Sequence, residues 1–231
     1  ALEWLGSHRE LALLFKPNLN APIYADAFGT LSDCATLTVK RRLPGPIERV
    51  WAYLTDSDLR RQWLAAGTME MKVDTPFELV WRNDELTQPP GMRPSGFTDE
   101  HRMTCRIVEI DPFRKLTFTW SGTGDVTFEL EAQGKEVLLT VTHRRISERN
   151  MRLMIGAGWH MHLDILVARN SGAKPEPFWD GWSRLRTEYE RRTLMMSMPS
   201  MQKPLSWVPA PSRIRCRKMT LIGAMASKTQ V

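Results

Sequence analysis

No stretch of this 231-residue chain approaches the roughly 20 consecutive apolar residues needed to span a bilayer. The N-terminal apolar cluster, Leu11 to Phe15, is too short for the core of a signal peptide. Cysteine is scarce: Cys34, Cys105 and Cys216 lie far apart without paired spacing, which excludes a disulfide framework and fits a reduced compartment. A cytoplasmic protein without a membrane span is the expectation. The chain also lacks a P-loop, a GxGxxG turn, a GxSxG elbow and a CxxC pair. Nucleotide, dinucleotide, serine-hydrolase and thiol-redox chemistry therefore find no support. No pair of acidic residues stands out for acid/base work, since Glu78, Glu129 and Glu131 have outward parity in their strands. There is no internal repeat.

Acidic residues are missing from one region altogether. Residues 191–231 hold 8 Lys/Arg and no Asp/Glu, whereas residues 1–190 hold 24 Lys/Arg against 26 Asp/Glu. The net charge of +6 is thus a property of the tail, and the body is slightly acidic. A nucleic-acid-binding fold carries its positive charge on the domain surface, so no nucleic-acid partner is expected for the folded domain. The tail reads as a solvated, disordered basic segment rich in Met and Pro.

What is present is a sequence of alternating and helical periods. Leu37, Val39, Arg41 and Leu43 alternate with polar residues as in a half-buried strand. After Pro44-Gly45-Pro46, the residues Ile47, Val50, Trp51 and Leu54 recur at helical spacing, and Asp56-Ser57 caps a second short helix carrying Leu59 and Trp63. Period two then returns at Met69 and Met71, at Phe77, Leu79 and Trp81, and at Met103, Cys105 and Ile107. It continues through Leu116, Phe118 and Trp120, through Val126, Phe128 and Leu130, and through Val137, Leu139, Val141 and His143. Short turns between these runs predict a six-strand antiparallel meander with one buried face. A polar, Pro/Gly-rich loop from Asp84 to Asp99 is long enough to lie over a cleft as a lid.

Glu148 to Asn170 runs without proline, long enough for five helical turns and more, and Ile155, Trp159, Leu163 and Leu166 form one apolar stripe. Asp164 and Ser171 fall opposite, the pattern of a long amphipathic helix. Phe178, Trp182, Leu185 and Tyr189 form a last helical stripe, supported by Glu188 and Arg192 at i,i+4. The order predicts an α+β fold, with a curved antiparallel sheet of about seven strands in all and a long helix across its concave side. Such a sheet bends away from the helix near one end and encloses a cavity there.

Three segments, Leu43-Pro-Gly-Pro-Ile-Glu-Arg-Val-Trp-Ala-Tyr-Leu-Thr-Asp56, Arg61-Gln-Trp-Leu64 and Gly158-Trp-His-Met-His-Leu-Asp-Ile-Leu166, resemble the START/SRPBCC superfamily. Within it they are similar to the bacterial branch named after the activator of heat-shock protein 90 ATPase. Val126-Thr-Phe-Glu-Leu130 followed by Val137 to His143 fits the same pattern. The resemblance runs from about Phe28 to Arg192 and implies a helix-grip domain over residues 29–193. Residues 1–28 are then an N-terminal extension, and residues 194–231 the tail. It further implies a cavity for a small hydrophobic molecule, with lipids and polyketides among the superfamily's ligands. Cyclase or dehydratase activity is known in some members. A chaperone or other protein partner, with a place in stress response, follows from the branch name alone; no stretch here resembles the namesake's separate chaperone-binding domain.

The residues expected to line the cavity are the inward aromatics Trp63, Trp81, Phe118, Trp120, Phe128 and Trp159, with His143, His162, Leu163 and Leu166. Large inward aromatics also simply fill cores, and each histidine has a purely structural reading. If a reaction is catalysed, His143 or His162 is the candidate general base. A metal is not expected, because His160 and His162, two apart on a helix, diverge by about 200°. His160 instead leans outward to Asp164 in a helix-surface hydrogen bond. Arg41, on the inward face of its strand, is expected to snorkel to solvent, with a ligand carboxylate as the other candidate partner. No cofactor is called for, and non-catalytic ligand binding is the leading expectation.

Overall fold

The computed structural model describes residues 28–32, 35–120, 124–146 and 148–197. The expectations for residues 1–27, for the tail beyond Ser197, and for Cys34 and Cys216 lie outside them. Strands β1 (Thr30–Ser32) and β2 (Thr36–Pro44) are followed by helices α1 (Ile47–Thr55) and α2 (Ser57–Arg60). Then come β3 (Pro76–Trp81), β4 (His101–Asp111), β5 (Lys115–Trp120), β6 (Gly124–Gln133) and β7 (Glu136–Arg144), and finally α3 (Arg149–Ser171) and α4 (Phe178–Ser197). The strands form one antiparallel sheet in the order β1-β2-β7-β6-β5-β4-β3. The short helices thus carry the chain from β2 to the far edge, and the meander returns it to β2.

Alternation decides which face is buried. Leu37, Val39, Arg41 and Leu43 of β2 lie opposite His143, Val141, Leu139 and Val137 of β7, and all eight are buried. Phe118 of β5 faces Val126 of β6, and Phe128 of β6 faces Val141 of β7. A register shift between Ile107 and Glu109 interrupts β4 against β5, and such an extra residue bends the strand that carries it. Asp56 caps α2 through its Oδ1, which accepts from the amides of Asp58 and Leu59. Buried Arg60 donates to the carbonyls of Leu54, Thr55, Ala65 and Gly67, satisfying chain ends that α1 leaves open.

The long helix is where sequence and structure part. One stripe was expected to be buried, but α3 is buried nearly all round, including Gly156, Ala157, His160, Met161 and His162. The reason is α4, which packs along α3 and covers residues that the sheet does not. The approach is close: a Cβ on Gly156 would lie 3.3 Å from the Tyr189 ring, and one on Gly181 would lie 2.5 Å from Met161 Sδ.

Two strand expectations are corrected. Met69 and Met71 form no strand; Asp74 at φ 66° turns the chain before β3, and only an isolated Ala66–Val80 bridge precedes it. The seventh strand is β1 instead, three residues long and too short to show a period. The helix-grip architecture itself is as expected.

Candidate functional site

A cavity of about 580 Å³ opens at the end of the sheet where β3 and β5 finish and β4 begins. From the sheet, Trp81, His101, Met103 and Trp120 face it. From α3 come Met151, Met154, Ile155, Gly158, Trp159 and His162. The spacing 151, 154, 155, 158, 162 is one helical face, distinct from the stripe that meets the middle of the sheet. Phe178, Trp179 and Trp182 at the start of α4 supply another wall, and Asn83, Gly96, Phe97 and Thr98 supply the rim.

The Asp84–Asp99 loop does reach this cavity, and α4 holds it in place. Trp179 N–H donates to Pro90 O at 2.9 Å, Phe178 N–H to Thr87 Oγ1 at 2.9 Å, and Met92 N–H to Asp180 Oδ1 at 2.9 Å. The Trp179 indole N–H donates to Asp84 Oδ1 at 2.6 Å.

Of the ten residues expected to line a cavity, Trp81, Trp120, Trp159 and His162 border this one. Trp63, Phe118, Phe128, Leu163 and Leu166 pack in the core beyond it, with Phe118 and Phe128 5.5 Å apart between ring centroids. Trp63 contributes through its backbone: its carbonyl lies 2.7 Å from His162 Nδ1. His143 sits behind the indoles, 5.0 Å from Trp120 between centroids, and its Nδ1 accepts the Trp159 indole N–H at 3.1 Å. That bond leaves the neutral ring's proton on Nε2.

Burial, which penalises a charged imidazole, pushes His143 and His162 each down to about 4. Both are neutral at pH 7. At His162 the Nδ1–H donates to the Trp63 carbonyl, so Nε2 is left as an acceptor on a ring that borders the cavity.

His160 is corrected from a surface residue to a buried one. Its Nε2 lies 3.4 Å from Asp164 Oδ2, the expected i,i+4 contact, but α4 and Phe28 cover it. Tyr189 Oη is 3.4 Å from His160 Nδ1 and accepts the Gly29 N–H at 2.9 Å. Burial, and then the Arg41, Arg184 and Arg192 charges, push His160 down to about 3. Arg41 does not snorkel. It is buried, its Nε donates to Asp164 Oδ1 at 3.0 Å, and its Nη2 lies 2.9 Å from the same oxygen. The inward arginine is thus paired inside the protein. Among the described residues no group of three or more His, Cys, Asp or Glu is placed to hold a metal, and no helix is long and apolar enough to cross a membrane.

Sequence reasoning missed the contribution of α4 and of Phe97. The usable signals were Phe97 as the one aromatic residue inside a polar loop, and the Met151–Met154–Gly158–His162 spacing.

No curated protein matches the chain. A solution NMR structure of a protein from Bordetella parapertussis matches at 35% identity and a TM-score of 0.62, over 72% of this chain and 91% of that one. A conserved protein of unknown function from Enterococcus faecalis matches at 19% identity and a TM-score of 0.55, over 74% and 91%. The crystal structure of CalU16 from Micromonospora echinospora matches at 19% identity and a TM-score of 0.51, over 68% and 86%. The last two show the shared fold. The family described as Activator of Hsp90 ATPase homolog 1-like protein matches residues 44–169, a span from the end of β2 through nearly all of α3. With that match and the Bordetella relative, the chain belongs to the Activator of Hsp90 ATPase homolog 1-like family of the START/SRPBCC superfamily.

Proposed function

We propose that this protein binds a small hydrophobic molecule, without transforming it, in the cavity between the sheet end, α3 and α4. The observation that carries this is the cavity itself. At about 580 Å³ it falls within the range of small-molecule sites, and its walls are aromatic and aliphatic side chains with few polar groups. Gly158 stands in the middle of the α3 wall, where a side chain would occupy the space; a Cβ there meets nothing within 4 Å.

The enzymatic alternative has less behind it. His162 borders the cavity, but an imidazole held near 4 is a weak base at neutral pH. His143 is engaged by Trp159 and does not border the cavity. A chaperone-regulating role rests on the family name alone.

Native mass spectrometry of the protein as purified, from extracts of several growth conditions, tests the proposal. A retained hydrophobic molecule that is absent from a cavity-filled Gly158→Leu variant is the expected result. Bare protein throughout, together with no binding of a panel of apolar fluorescent probes, would overturn it.

A further inference from the structure

Helix α4 is anchored at both ends, and the two anchors lie on different parts of the molecule. Its first turn meets the rim of the cavity. There the N–H groups of Phe178 and Trp179, which a helix start leaves without internal partners, donate to Thr87 Oγ1 and Pro90 O. Asp180 Oδ1 in turn accepts the Met92 N–H. Gly91, at φ 82°, permits this approach, since a Cβ there would lie 2.7 Å from Asp180 Oδ1.

The far end of α4 meets the residues that lead into β1. Tyr189 Oη accepts the Gly29 N–H at 2.9 Å, and the Arg192 guanidinium stacks 3.6 Å over the Phe28 ring. The Phe28 and Tyr189 rings are 5.4 Å apart between centroids. Phe178 and Tyr189 are about 16 Å apart along the helix axis.

Between the anchors α4 packs on α3, with Met161 against Gly181 and Tyr189 against Gly156. Gly172 at φ 74° and residues 173–177 connect the two helices. Phe178, Trp179 and Trp182 face the cavity, so the first turns of α4 gain contacts when something fills that space. A helix that packs on one neighbour opens at lower cost than the centre of a sheet. If α4 leaves α3, both anchors are lost with it.

Resting on the cavity-binding reading above, we propose that α4 docks and undocks as one unit, so that filling the cavity tightens the clasp on Phe28 and Gly29. A molecule touching Phe178, Trp179 or Trp182 binds the docked helix and not the undocked one, which shifts the balance toward docking. The hold on the chain at Gly29 then reports the occupancy of a cavity that Gly29 does not line.

Amide hydrogen exchange of the full chain at pH 7, followed by NMR, tests this at Gly29. The Arg114 amide is the reference: it donates to Asp111 O in the β4–β5 turn, at the opposite end of the sheet from the cavity. Asp180→Ala, checked for an unchanged circular dichroism spectrum, removes an anchor at the rim. It should speed exchange at Gly29 by about fivefold, the span of one net hydrogen bond, and leave Arg114 unchanged. N-phenyl-1-naphthylamine, added at about ten times its measured Kd, should slow exchange at Gly29 about tenfold. At the same probe concentration the slowing in Gly158→Leu should shrink to about twofold. Unchanged Gly29 exchange in Asp180→Ala, or equal changes at Gly29 and Arg114, overturns the docking of α4 as one unit and leaves cavity binding standing. Probe binding without slowing at Gly29 overturns the coupling in the same way. If the probe does not bind, the cavity-binding reading falls, and the coupling to occupancy falls with it.

Discussion

Gly156 and Gly158 are two residues apart on the same helix, and the structure gives them opposite roles. A Cβ on Gly158 meets nothing within 4 Å, whereas one on Gly156 lies 3.3 Å from two carbons of the Tyr189 ring. Replacing an interior helical glycine by alanine stabilises by about 1 kcal/mol when the space is free, because the unfolded chain loses backbone freedom and the helix does not. For a folded body of this size that corresponds to a rise in Tm of about 2–4 °C. Gly158→Ala should show it in a thermal melt. Gly156→Ala should not, because the new methyl presses on a ring held between α3 and α4; overpacking of about 1 kcal/mol or more offsets the helical gain. Gly158→Leu then separates stability from function. Its side chain enters the cavity, so the protein should stay folded while an apolar fluorescent probe binds at least about tenfold more weakly, a loss of about 1.4 kcal/mol. If Gly158→Leu unfolds the protein, or binds the probe as tightly as the unaltered chain, the space over Gly158 is not the binding cavity.

Three further outcomes follow from the buried polar groups. His162 is held near 4 in the folded protein against 6.5 when unfolded. Its contribution to stability is therefore complete above pH 6.5 and falls as the pH drops toward 4, by something on the order of 3 kcal/mol; urea unfolding at pH 7 and pH 4.5 should show a shallower acid loss in His162→Gln. Asp164→Asn strands the buried Arg41 guanidinium without its counter-charge and should cost about 2–3 kcal/mol in urea unfolding, below the full penalty because the carboxylate is partly exposed. The double variant Arg41→Met with Asp164→Leu should recover part of that loss. Tyr189→Phe removes the acceptor for Gly29 N–H and should cost about 1 kcal/mol, with faster amide exchange at Gly29 as the specific readout.

The sheet was legible because a half-buried strand writes its buried face into every second residue, and β2, β6 and β7 all do so over at least three inward positions. The length of α3 was equally legible. Its surroundings were not, because burial of His160 and Met161 depends on α4, and the sequence of α3 carries no mark of what will cover it. The same limit explains Arg41, whose partner Asp164 is 123 residues away. The site was half legible for a different reason. Parity shows which face a residue is on but not how far along the strand the sheet leaves the helix. Phe118 and Phe128 share the inward face with Trp120, yet only Trp120, at the last position of its strand, reaches the cavity.

The polar groups around the cavity bear on the proposed binding role. Catalysis by an imidazole at neutral pH needs a ring that gains and loses a proton there, and solvent reach would allow it. His143 and His162 have each been given a fixed partner, an indole N–H in one case and a backbone carbonyl in the other. Burial then holds both rings neutral far below physiological pH. Rings so fixed are poor proton carriers, while His162 keeps its Nε2 as an acceptor on the cavity side because its charge and tautomer do not change across the pH range of ordinary cells. The surrounding indoles are constrained in the same way, since Trp159 is tied to His143 and Trp179 to Asp84. Rigid aromatic walls with a fixed acceptor lower the ordering cost of taking up a matching ligand, which is what the proposed binding role asks of this cavity.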